Sequence, residues 1–182
     1  MKRVTFGSLV LMFVPLAVGA QQTATPSTNP VSDAVRRVVA TESKNIIAGA
    51  EEMPPDKYDF RPTPQQNTFA HLVVHMIGAN YFMCSALGGT PMPKADQPKD
   101  SDPKDMLTST LKASFDFCTQ SLANVDDSKL GEQVPFFGGR NIPRGSLMIT
   151  FALDYGDHYA QEAAYLRAAG LVPPTAQRRS GQ

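Results

Sequence analysis

Two pairs of residues in this sequence have the spacing of one helical turn: His71 with His75, and Asp154 with His158. On a helix, positions i and i+4 project from the same side, so each pair presents its side chains together. Helical bundles build metal sites in this way, with imidazole and carboxylate donors from facing helices converging on the core. Three protein ligands then leave one position for water or substrate. Spacing alone does not decide the chemistry. A lone histidine is more often a surface or capped core residue than a ligand, and an Asp–His hydrogen bond satisfies both partners without any ion. What sets Asp154 and His158 apart is their surroundings, FALDYGDHYAQEAAYLR, where Phe151 and Tyr165 have core-like spacing. A carboxylate on such a face is costly unless it is partnered or protonated.

Other reactive arrangements are missing from the sequence. There is no nucleophile elbow, phosphate-binding Walker loop, GxGxxG fingerprint or HExxH, so no catalytic residue is assigned. Gly138-Gly139 has no strand-to-helix context and reads as a turn. Met53, Met76, Met83 and Met106 suit core filling better than soft-metal binding. The acidic pairs Glu51-Glu52 and Asp126-Asp127 fall near helix ends and read as solvated.

The segments that must position these residues read as follows. Lys2 and Arg3 precede an apolar run from about Leu9 to Val18, and Val18-Gly19-Ala20 offers small residues for cleavage. This pattern is expected to be a secretory signal peptide cut after Ala20, placing the mature chain in the periplasm or outside the cell. No membrane association after cleavage and no second bilayer-spanning run are expected. Removing 20 of 182 residues leaves 162, enough for one domain with a core. Two of the 17 basic residues and none of the 17 acidic ones fall in the leader, leaving a near-neutral 15 against 17. No Lys/Arg cluster recurs on one face, so nucleic-acid binding is not expected. In an oxidising compartment the two cysteines, Cys84 and Cys118, are expected to pair.

Residues 21–31 form a polar tether, and four helical patterns follow without strand-like alternation of comparable length. The first should begin with Ser32 as N-cap and stop at Pro54-Pro55. The second should open on a capping box at Thr63-Pro64-Gln65-Gln66 and end at Gly88-Gly89. The third should start near Ser101 or Asp102, with Leu107, Leu111, Phe115, Cys118 and Leu122 facing inward. Residues 126–142 read as irregular, with an exposed-looking Phe136-Phe137 pair. The fourth should begin around Pro143 and end at Gly170, before a polar tail over residues 175–182. Four amphipathic helices with modest connections predict an all-α four-helix bundle over residues 32–174.

The segment MPPDKYDFRPTP from Met53 to Pro64, the following FAHLVVHMIGANYFMCSAL and the closing DHYAQEAAYLRAAGLVPP resemble the DinB/YfiT-like superfamily of metalloenzymes. The resemblance is nearest to exported bacterial members and runs over residues 32–174. Its most specific element is Tyr58-Asp59-Phe60-Arg61-Pro62-Thr63-Pro64, and Ala160 stands where the family has glycine. It implies a four-helix bundle, in agreement with the periodicity. It also implies a metal site with one histidine from the second helix and an HxxxH pair from the fourth. By position these ligands fall on His75, Asp154 and His158, so Asp154 replaces the first histidine of the pair. The implied centre is two histidines and one carboxylate on a divalent ion, zinc first, with nickel or iron as alternatives. His71 matches no ligand position and is expected to be partly exposed. The family includes metal-dependent transferases and isomerases that use low-molecular-weight thiols, which implies a small-molecule substrate and a transferase or hydrolase reaction. The competing expectation is a non-catalytic exported bundle, structural or partner-binding, with Asp154 and His158 as a metal-free pair. Homodimerisation through bundle faces is left open.

Overall fold

The computed structural model describes residues 26–94 and 97–180, with side chains as far as residue 177. The expected signal peptide lies outside the described residues. The chain forms α1 (Pro30–Glu52), α2 (Phe69–Gly88), α3 (Lys104–Leu122), a hairpin of β1 (Gln133–Phe136) and β2 (Arg140–Pro143), α4 (Arg144–Ala168) and α5 (Pro174–Ser180). α2 packs chiefly on α3 and α1 on α4, while α1–α3 and α2–α4 contacts close the ring. The fold is the expected all-α four-helix bundle.

Apolar residues at helical spacing fill the core: Phe69, Ile77 and Leu87 from α2, Leu107 and Leu111 from α3, Leu147 and Phe151 from α4, all fully buried. Cys84 of α2 and Cys118 of α3 meet there, with sulfurs 1.95 Å and Cα atoms 5.0 Å apart. Close approach of the same two helices depends on Gly88, where a Cβ would stand 2.3 Å from the Ser121 carbonyl oxygen. A polar knot crosses this apolar interior. Tyr155 O–H donates to Asn80 Oδ1 at 2.8 Å, Asn80 Nδ2 donates to Ser114 Oγ at 2.9 Å, and Ser114 Oγ donates to the Leu111 carbonyl at 2.7 Å. Contrary to the sequence reading, α2 does have the length and mean hydropathy, 1.3, of a membrane span. Half of that window is buried against the other helices, where Asn80 makes its cross-bundle hydrogen bonds.

Helix starts depart from the sequence reading where tertiary partners displace local caps. α1 begins at Pro30 with Asn29 in the cap position, so Ser32 is not the N-cap. Ser32 is buried, and the cap comes from 95 residues away. Asp127 accepts from Val31 N at 2.9 Å, Ser32 N at 2.8 Å and Ser32 Oγ at 2.6 Å. It is therefore not the free solvated acid that its place in the sequence suggested. Partial desolvation pushes the Asp127 carboxyl up, but the hydrogen bonds from Ser32 and Val31 outweigh it and hold the pKa below its ordinary value. A carboxyl depressed in this way stabilises the fold above its ordinary pKa, and the contribution is lost as pH falls through the lowered one. Thermal melts of Asp127→Ala are expected to show a lower midpoint than wild type at neutral pH, the gap narrowing as pH drops below about 4. A gap independent of pH would remove the charge from this account.

The Thr63-Gln66 box closes only a turn, with Gln66 N donating to the Thr63 carbonyl at 3.1 Å. α2 starts later, at Phe69, where Thr68 Oγ1 accepts from His71 N. Phe69 N and Ala70 N donate instead to the Phe60 and Tyr58 carbonyls, which folds the 58–64 run back across the start of the helix. α3 begins at Lys104, whose Nζ donates to the Glu51 and Met53 carbonyls at the end of α1. Met106 is half exposed and is not core. Residues 126–142 are not irregular throughout, because β1 and β2 pair antiparallel. Gly138 and Gly139, both at φ 70°, make the turn between them. Phe137 is exposed on one face and stacks on Phe82, with centroids 4.4 Å apart. Gly170, at φ 82°, lies just past α4 as expected, and the stretch read as a polar tail contains α5.

Candidate metal centre

α2 and α4 bring the residues singled out by spacing to one place. The His75 and His158 rings lie with centroids 4.9 Å apart and planes inclined by 50°. Asp154, one turn before His158, places Oδ1 3.4 Å from His158 Nε2. His71 is engaged elsewhere. Its Nδ1 is 3.0 Å from Asp100 Oδ2 and its side chain is 41% accessible, the partly exposed position expected of it.

The cluster runs from surface to interior. His75 lies exposed at its rim, whereas the side chains of His158 and Asp154 keep only 13% and 23% of their accessible area. Desolvation lowers the His75 pKa, the neighbouring His158 lowers it further, and Asp154 opposes both. The ring is thus held neutral at pH 7, the form that can offer a lone pair. Three atoms on one face of α4 are buried without a hydrogen-bond partner in the protein: Asp154 Oδ2, His158 Nδ1 and Glu162 Oε2. Glu162 is not among the residues that spacing singled out. Its signal was the same spacing carried one turn further, Asp154, His158, Glu162. Only 4% of Glu162 is accessible, and burial raises its carboxyl pKa well above the ordinary value.

Buried polar atoms without partners are rare and call for an explanation, an unseen ion being one. Two imidazoles and a carboxylate suit a divalent cation in their chemistry. As the side chains stand, no three His, Cys, Asp or Glu groups among the described residues converge closely enough to hold one ion. The set fits a metal by donor type, and sharing one ion requires side-chain rotation.

Residues 41–161, which include all three candidate ligands, match the DinB superfamily. A DinB-like protein from Bacillus cereus superposes with a TM-score of 0.64 at 17% identity, covering 78% of this chain and 95% of the other. One from Bacillus subtilis gives 0.61 at 16% identity, covering 75% and 92%. A mycothiol-dependent maleylpyruvate isomerase gives 0.56 at 12% identity, covering 71% of this chain and 59% of the isomerase. No curated protein matches the chain in sequence. At these identities the superpositions establish the fold alone.

Proposed function

Since the chain belongs to the DinB superfamily, we propose that it binds one divalent ion, zinc first, through His75, Asp154 and His158, for a transfer or hydrolysis reaction on a small molecule. The observation that carries this reading is the meeting of His75 and His158 from facing helices, 4.9 Å apart, with Asp154 beside them. A bound divalent ion would supply Lewis acidity toward a thiol or a water at its open position. The residues supply the rest. His75 stays neutral at the solvent-facing rim, where a small molecule can enter. Asp154 adds a negative charge that a three-imidazole set lacks, which draws a cation more strongly. The thiol class of substrate is suggested by the mycothiol-dependent isomerase among the structural relatives. With its leader removed after Ala20, the protein would work in the periplasm or outside the cell.

The 3.4 Å contact between His158 Nε2 and Asp154 Oδ1 favours a second reading, a metal-free polar pair in a non-catalytic bundle. One experiment separates the two. The mature domain, purified without a histidine tag, is reconstituted with zinc, nickel or iron and its metal content read by mass spectrometry. Near-stoichiometric metal is expected in the wild type. His75→Ala and Asp154→Ala should each weaken binding by more than about 100-fold, beyond what loss of an outer-shell partner costs. No metal in the reconstituted wild type would leave the metal-free pair as the answer.

A further inference from the structure

Glu162 is the only carboxylate in the buried class among the described residues. Room for it is made from α1. A Cβ on Gly49 would stand 2.6 Å from the Glu162 Cδ and Oε2, so glycine leaves the room that alanine, the better helix former, would take. Beside it is a small, partly open cavity of about 10 Å³ lined by Ile46, Leu72, Val73, Met76, His158 and Glu162. Four of these walls are apolar, and the two polar residues are those whose Nδ1 and Oε2 lack a protein partner. The volume sits at the lower bound for a single water, and a buried water is held by two to four polar contacts. A fully apolar pocket of this size would stay dry; this one carries two polar atoms.

We propose that the cavity holds one ordered water joining His158 Nδ1 to Glu162 Oε2, and that Glu162 is thereby the positioning residue that keeps His158 Nε2 turned toward Asp154. An imidazole tethered at Nδ1 cannot flip without breaking that link, so the opposite nitrogen stays where Asp154 meets it at 3.4 Å. A water bridge is nearly as favourable as a direct hydrogen bond, and a hydrogen-bond partner on the far nitrogen of a metal-binding histidine, a water included, fixes both tautomer and orientation. The bridge itself needs no ion, so the inference stands apart from the metal reading.

The test is a high-resolution crystal structure of the metal-free mature protein, with ring ¹⁵N spectra of His158 in wild type, Glu162→Gln and Glu162→Leu. A water within hydrogen-bonding distance of both atoms is expected in the wild type. One ring tautomer is expected in the wild type and in Glu162→Gln, which keeps an acceptor oxygen. Glu162→Leu should expel the water and give a mixed-tautomer spectrum while keeping the cooperative thermal melt that Glu162→Gln also shows. Its zinc affinity should fall 10- to 100-fold, the usual cost of losing such an outer partner. An empty cavity in the wild type, or an unchanged His158 spectrum in Glu162→Leu, overturns the proposal. A wild type that shows the water and the Glu162-dependent tautomer but binds no zinc sinks the metal reading and leaves this one standing. Zinc binding with an empty cavity does the reverse.

Discussion

Breaking the Cys84–Cys118 link is expected to lower the unfolding free energy by about 3–4 kcal/mol, the loop-closure entropy for a separation of 34 residues. Without the link, the unfolded chain gains the freedom of the whole segment between α2 and α3, while the folded bundle still packs the two helices together. For a domain of this size the loss corresponds to a drop of roughly 6–16 °C in melting temperature. Both cysteines are fully buried, so reductant acts slowly on the native state and a Cys84→Ala/Cys118→Ala variant is the cleaner measurement. Alanine is preferable to serine because a serine at position 118 would set a new hydroxyl against the Asn80 carbonyl and Tyr155 hydroxyl and disturb the polar knot. The companion assay is thiol titration of denatured protein purified without reductant. Two titratable thiols, or a variant that melts with the wild type, would remove the disulfide from the account of stability.

Helix interiors were legible because apolar residues recur at helical spacing and the bundle buries that stripe. Helix ends were less so, because caps are set by whichever acceptor lies nearest in space. Asp127 reaches the start of α1 from the far side of the sequence, and no local pattern around Ser32 records it. The hairpin was missed because its strands have four residues each, too few for alternation to show. The Tyr58–Pro64 run, the most specific stretch of the resemblance, has a structural use. Tyr58 O–H donates to the Ala50 carbonyl at 2.7 Å, its ring packs edge-on to Phe69 at 5.3 Å, and Phe60 packs edge-on to Tyr165 at 6.5 Å. It therefore ties the end of α1 to the start of α2 and the end of α4. At the candidate site, i+4 spacing and the resemblance together picked out His75, Asp154 and His158. Glu162 escaped because a glutamate in a helix reads as solvent-facing, and its burial depends on a glycine of another helix.

The polar knot around Asn80 carries the second large effect. Asn80→Leu is expected to cost about 2–3 kcal/mol even though leucine keeps the branched shape, because the buried Tyr155 hydroxyl loses its oxygen acceptor and keeps only Cys118 Sγ at 3.8 Å. Burial, with Asp154 adjacent, pushes the Tyr155 pKa well above its ordinary value, so the hydroxyl remains a donor that must be satisfied. Ser114 Oγ still donates to the Leu111 carbonyl, which limits the damage on the α3 side. Tyr155→Phe alone leaves Asn80 Oδ1 unpaired and should cost about 1–3 kcal/mol. Combined, the two changes remove both partners, and the double variant should be more stable than the sum of the singles by about 1 kcal/mol or more. Urea unfolding of the four proteins measures this coupling; additivity within about 0.5 kcal/mol would show that the two groups do not act as a pair. The knot also bears on the site. Tyr155 follows Asp154 directly on α4, so its bond to Asn80 of α2, with the buried apolar face of α4, helps set the rotation of that helix about its own axis. That rotation sets whether Asp154 and His158 face His75. On the proposed zinc reading, Asn80→Leu should therefore weaken zinc binding as well as stability, whereas Asn80→Leu/Tyr155→Phe should recover stability more fully than it recovers that binding.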